Sequence, residues 1–158
     1  MSLGRSNERL VKIAFLVPKT DGRPEIVETM WAIRQDDDTY VLDNSPFDAY
    51  NVSYKDRITA KFENGMLIFQ NVVERGGHST YRVKLNKGAE HSDFLKYWPQ
   101  LALLGCTYEG AADARRLYSI DVPEVSAVEQ VYTYLEQLEK KGAWEFEEAH
   151  YLDSEKDA

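Results

Sequence analysis

The pair His78-Ser79, inside "VVERGGHSTYRVKL" (residues 72 to 85), is the first place to look for catalysis, because a histidine that hydrogen-bonds a serine is the minimal activated nucleophile. Adjacency defeats it. Successive side chains of an extended segment point to opposite faces, so these two cannot meet. "GGHST" is also not the Gly-x-Ser-x-Gly turn that exposes a nucleophilic serine. No catalytic residue is assigned. The three histidines, His78, His91 and His150, have no ligand spacing, and the single cysteine, Cys106, excludes a multi-cysteine zinc site. "DDD" at 36 to 38 lacks the glycine and distal glutamate of a calcium loop. Neither a phosphate loop nor a dinucleotide fingerprint is present, so no metal or cofactor is expected.

What remains is a set of polar side chains. If a strand begins at Ser79, then His78, Thr80, Arg82 and Lys84 share one face and could hold an anionic or polar ligand. Asp43 and Asn44 in "LDNSPF" add polar groups, although Asp-Asn-Ser-Pro is also ordinary turn chemistry. Arg82 and Lys84 have a structural alternative, which is the preferred reading. If Trp144 and Phe146 face inward on a neighbouring strand, Glu145 and Glu147 face the same side as Arg82 and Lys84, and cross-strand ion pairs follow.

Those strands belong to a legible second half. "STYRVKL" alternates as a half-buried strand. "HSDFLKYWPQLALLGC" has helical spacing, with Ser92 as the expected N-cap, Gly105 as the stop and Pro99 expected to kink or split it. "CTYEGAA" and "RLYSIDVP" read as strands around a turn at 112 to 115. Next comes a helix opened by a Ser126/Glu129 capping box and closed at Gly142, with Val128, Val131, Tyr132, Leu135 and Leu138 on one face. "AWEFEEAHY" ends the order as a strand. Strand, helix, strand, strand, helix, strand is the ferredoxin-like split βαβ unit. Its helices cover one sheet face and leave the other to solvent, a ligand, a partner or the first half of the chain.

The first half holds five strand-like runs and no helix, separated by turn signals of which Asn64-Gly65 is the strongest hairpin signature. The expected fold class is therefore α+β: a small β barrel or rolled sheet over 1 to 76, a ferredoxin-like βαββαβ unit over 77 to 152, and a disordered acidic tail over 153 to 158. Gly76-Gly77 marks the boundary, where the backbone must reverse or bulge.

Of 158 residues, 43% are hydrophobic and 12% aromatic, enough for a substantial core. The net charge is −8 and falls mostly in the C-terminal half. From Ser119 onward, 11 acidic residues face 3 basic ones, Lys140, Lys141 and Lys156. Such a surface repels phosphates and attracts basic partners, which argues against nucleic-acid binding, although acid also serves simple solubility. No run is long enough for a membrane span or a signal-peptide core, and one cysteine fits a cytoplasmic location.

Five stretches, "ETMWA" (28 to 32), "YVLDNSPF" (40 to 47), "NVSYKDRI" (51 to 58), "VVERGGHSTYRV" (72 to 83) and "GAWEFEEAHY" (142 to 151), together resemble the bacterial family known as domain of unknown function 4265. The resemblance implies a small bacterial cytoplasmic protein and brings no established activity. It also implies a loose association with genes beside secreted toxins, where an immunity protein would be expected. The functional expectation is a non-enzymatic protein-binding domain, an immunity-type inhibitor that docks an acidic surface, including Glu145, Glu147 and Glu148, on a basic toxin domain. The alternative is a small-ligand-binding or enzymatic domain that uses Asp43, Asn44, His78 and Arg82 in a polar cleft between the two units.

Overall fold

A computed structural model describes residues 9–112 and 115–153. The expected acidic tail lies, beyond Asp153, outside the described residues. The fold is α+β. The chain divides after Gly76 into two compact units.

The N-terminal unit is a closed barrel of β1 (Leu10–Val17), β2 (Ile26–Arg34), β3 (Tyr40–Leu42), β4 (Arg57–Glu63) and β5 (Met66–Glu74), hydrogen-bonded in chain order. Successive strands of this meander are antiparallel, so with five of them the first and last run the same way. Closure is accordingly parallel, with Ile13 opposite Leu67 and Ala14 opposite Ile68. Register irregularities between Arg57 and Ile58 and between Thr59 and Ala60 supply local bending. Asn64 and Gly65, both at positive φ, form the two-residue β4–β5 turn. Period-2 alternation sends Ile13, Phe15, Met30, Ala32, Leu42 and Ile58 into one core.

The C-terminal unit runs β6 (Ser79–Leu85), α1 (His91–Leu103), β7 (Thr107–Gly110), β8 (Leu117–Val122), α2 (Val128–Lys140) and β9 (Trp144–His150). The sheet order is β7-β8-β6-β9. Tyr81, Val83, Phe94, Leu101, Val131, Leu135 and Trp144 form its buried core, and Phe146 packs against them.

Three local expectations change. The α1 N-cap is Glu90 rather than Ser92; the Asp93 carboxylate accepts the Glu90 backbone N–H at 2.8 Å, so the capping interaction forms two residues earlier. Pro99 does not split α1, which runs unbroken. Pro99 and Leu95, four residues earlier, are both exposed, so the carbonyl deprived of a donor lies beside solvent. The Ser126/Glu129 capping box is absent. A 3₁₀ turn over Val125–Ala127 precedes α2 instead, with Ala127 and Val128 buried.

Candidate functional site

In the N-terminal unit the polar residues of the motif blocks organise loops. Glu28 shares the inward phase of β2 with Met30 and Ala32. A carboxylate in that phase needs compensation. Its two oxygens accept the backbone N–H groups of Phe47, Asp48 and Ala49 at 2.7, 3.0 and 2.8 Å. Asn44 is held in the same way, its Oδ1 accepting the Trp31 N–H at 2.6 Å while the Asp43 N–H donates to the Trp31 carbonyl at 2.9 Å. Asp43 and Asn44 thus extend the edge of β2 as turn residues.

Asp56 is a second such anchor, and it is fully buried. Its Oδ2 accepts the Ser53 N–H at 2.9 Å and the Arg75 guanidinium at 2.9 Å, and its Oδ1 accepts the Gly76 N–H at 2.9 Å. Arg75 also donates to the Asn51 carbonyl at 2.8 Å. The "NVSYKDRI" block is thereby tied to "VVERGG". The tie explains the double glycine. A Cβ on Gly76 would lie 2.4 Å from the Lys55 carbonyl oxygen, so that backbone contact requires glycine, whereas Gly77 has open space around it but a φ of +90°.

In the C-terminal unit β6 puts Ser79, Tyr81, Val83 and Leu85 on the helix side and Thr80, Arg82 and Lys84 on the other. Thr80, Arg82, Ser119 and Asp121 are nevertheless buried. The polar face is therefore not open to solvent along its centre. Arg82 lies opposite Glu147, and its Nε and Nη2 donate to Glu147 Oε2 at 2.9 and 2.7 Å. His78 Nδ1 lies 2.9 and 2.8 Å from the two oxygens of Asp121. Ser79 takes no part in that pair: its hydroxyl, on the other side of the strand, accepts the Leu152 N–H at 2.9 Å.

Of the candidate ligand residues, His78 and Arg82 thus each hold a carboxylate within their own unit, while Asp43 and Asn44 belong to the other. The sequence reading missed Asp121. The alternation of "YSIDV", with Tyr118, Ile120 and Val122 in the core, could have placed it on the face of His78. Cys106 is buried, and burial, followed by the charge of Asp121, pushes its thiol up to about 12. It is the opposite of an activated nucleophile.

The acidic residues of β9 have different environments. Glu145 is exposed opposite Lys84, and Glu147 is engaged by Arg82. Glu148 is on the helix side, opposite Tyr81, in a pocket of about 320 Å³ lined also by Glu129, Tyr132, Tyr151 and Asp153. Burial raises the Glu148 carboxyl above its ordinary range. The Tyr81 phenol is raised as well, by burial first and the Glu148 charge second, so it remains a neutral donor at physiological pH. Composition alone could not reveal this grouping, because it joins β6, β9 and the start of α2.

No group of three or more His, Cys, Asp or Glu among the described residues could hold a metal ion. Among the same residues, no helix is long and apolar enough to cross a membrane.

The barrel followed by a split βαβ sheet defines a two-unit α+β protein whose distinctive polar residues fasten loops and strands. The chain belongs to the family described as Domain of unknown function (DUF4265), whose match spans residues 28–146. It is similar in fold to a solved structure, described as the "novel crystal structure of a hypothetical protein from Neisseria gonorrhoeae", with a TM-score of 0.75 and 14% identity, covering 91% of this chain and 96% of that one. No curated protein matches the sequence.

Proposed function

We propose that this is a non-enzymatic, cytoplasmic binding protein that docks the acidic side of its C-terminal unit on a basic protein surface, as an immunity-type inhibitor would on a basic toxin domain. The observation that carries the reading is the charge along α2 and β9. β9 is an edge strand; Glu148 on its helix side joins Glu129 and Glu139 of the neighbouring helix, Glu145 points to the opposite face beside Lys84, and Lys140 and Lys141 sit together at the helix C-terminus. A predominantly acidic surface of this kind steers a basic partner and discriminates against acidic ones. Glu147 contributes less, because Arg82 neutralises it.

The test is capture from native bacterial lysate at low and high salt, by the parent chain and by a folded Glu129→Lys/Glu145→Lys variant. A basic protein retained by the parent at low salt, released at high salt and not retained by the variant supports the reading. Equal, salt-insensitive capture by both overturns it.

A second reading, a small-ligand or enzymatic role for Asp43, Asn44, His78 and Arg82, is favoured by the His78–Asp121 pair, since a carboxylate that orients an imidazole is a common element of general-base catalysis. It would require His78→Ala to abolish an activity without unfolding the protein.

A further inference from the structure

The pocket beside Glu148 combines three features. Tyr81, Tyr132 and Tyr151 contribute aromatic walls, and the charged residues of the lining, Glu129, Glu148 and Asp153, are all acidic. Glu148 is partly buried, and its carboxylate makes no hydrogen bond or ion pair with any of the described residues. The neighbouring tyrosines are engaged elsewhere: Tyr132 donates to Glu136 at 3.3 Å and packs edge-on to Phe146 with ring centroids 5.5 Å apart, and Tyr81 also packs on Phe146. Tyr81 and Tyr132 are thus braced from behind, while the carboxylate beside them has no counter-charge among the described residues.

Aromatic faces beside a carboxylate are the recognition chemistry of an organic cation. Ring quadrupoles attract the cation, the carboxylate neutralises it, and both effects strengthen as water is displaced. The amides at the start of α2 would favour an anion, but Glu129 in the first turn offsets them. Among cationic side chains arginine fits best, because its planar guanidinium can stack on a tyrosine ring while its edge donates to a carboxylate.

We propose that this pocket receives one arginine side chain of the protein partner, with Glu148 as its counter-ion and Tyr132 and Tyr151 as its aromatic walls. The proposal rests on the docking reading above and gives that surface its anchor, the place where a single buried residue supplies a large share of an interface's energy.

The test needs no partner. The full chain is titrated with N-acetyl-arginine N-methylamide, and separately with the lysine counterpart, while tyrosine ring and Glu148 side-chain resonances are followed by NMR. Saturable shifts of Tyr132, Tyr151 and Glu148 are expected, stronger for arginine than for lysine, with affinity about tenfold weaker in Glu148→Gln and lost in Tyr132→Ala. Tyr132→Leu, which keeps bulk against Phe146, serves if the alanine variant does not fold. Absence of saturable shifts, or shifts unchanged by Glu148→Gln, overturns the pocket. Tighter binding of the lysine compound overturns the choice of arginine. Failure of lysate capture with an intact arginine titration would instead remove the docking reading and leave the pocket standing.

Discussion

The buried carboxylate of Asp56 accepts the backbone N–H of Gly76 at 2.9 Å, fastening the last residue of the barrel unit to a loop twenty positions earlier. The same side chain takes the Ser53 N–H and the Arg75 guanidinium. Asp56→Asn removes the charge that these three donors share and puts amide hydrogens where acceptors are needed. A loss of about 2 to 4 kcal/mol is expected, because donors are left unmet in a buried site. Urea denaturation measures it, and an unchanged midpoint would contradict the anchoring role.

Gly76 and Gly77 are adjacent but constrained differently, so substitutions should separate them. Gly76→Ala forces a Cβ against the Lys55 carbonyl, which only a backbone shift can relieve, and that shift also pulls on the Asp56 anchor. Gly77→Ala meets no atom and costs only the strain of a positive φ. The first should therefore be the more destabilising. Gly77→Val should cost on the order of 1 to 3 kcal/mol. Thermal melts of the three variants check the order, and equal midpoints for the two alanine variants would refute the distinction.

The fold was largely legible in the sequence because its elements are strongly periodic. Tyr81, Val83 and Leu85 mark β6, the Val131-Leu135-Leu138 face marks α2, and Asn64-Gly65 marks a hairpin. The Arg82–Glu147 pair could also be read, since alternation fixes faces and the split βαβ order makes the first and last strands neighbours. Helix starts were harder. At α1 several polar residues competed for the cap, and at α2 the burial of Ala127 and Val128 accompanies a 3₁₀ entry that local propensity did not indicate. The anchors Glu28 and Asp56 were illegible, because an acidic residue in a strand or loop looks solvated until the backbone donors that surround it are known. Glu148 was singled out for its charge, but its tyrosine setting depends on contacts among distant segments.

Arg82 is 1% exposed and Glu147 30% exposed, so their pair should act on stability more than on partner binding. Glu147→Gln deprives a buried guanidinium of its counter-charge and should cost about 1 to 3 kcal/mol, with Arg82's other interactions limiting the loss. Glu145→Gln, at an exposed site, should change stability by less than about 0.5 kcal/mol. Denaturation of the two variants gives the comparison. Equal effects would mean that the strand environment does not distinguish them.

Cys106 should be chemically silent until the C-terminal unit opens. With its thiol pushed up to about 12 and the sulfur buried, Cys106 stays protonated and shielded at neutral pH. Reaction with a disulfide reagent should be very slow in the native protein, fast in denaturant, and at intermediate conditions paced by unfolding. Rapid labelling of the folded chain would place Cys106 outside the packed core.

Glu148 yields a pH dependence of definite sign. Burial raises its carboxyl above the ordinary 4.5 in the folded protein, whereas the unfolded chain titrates near that value. Well below 4.5 both states hold the proton and the residue does not affect stability. Between the ordinary and the raised value the folded state keeps a proton that the unfolded state has released, so this residue's contribution falls as pH rises. Above the raised value its full cost is present. Glu148→Gln removes the ionisation, so it should melt higher than the parent at pH 7 and draw level as the buffer is taken below 4.5. The same variant should bind the arginine probe less well at pH 7. Greater stability with weaker binding in one substitution is the mark of a residue kept for a ligand, because removing a charge that served only the fold would lower stability and leave binding of the probe unchanged. A Glu148→Gln protein that is less stable at neutral pH would show that the carboxylate already has a counter-charge within the chain, and the pocket would need no arginine from a partner.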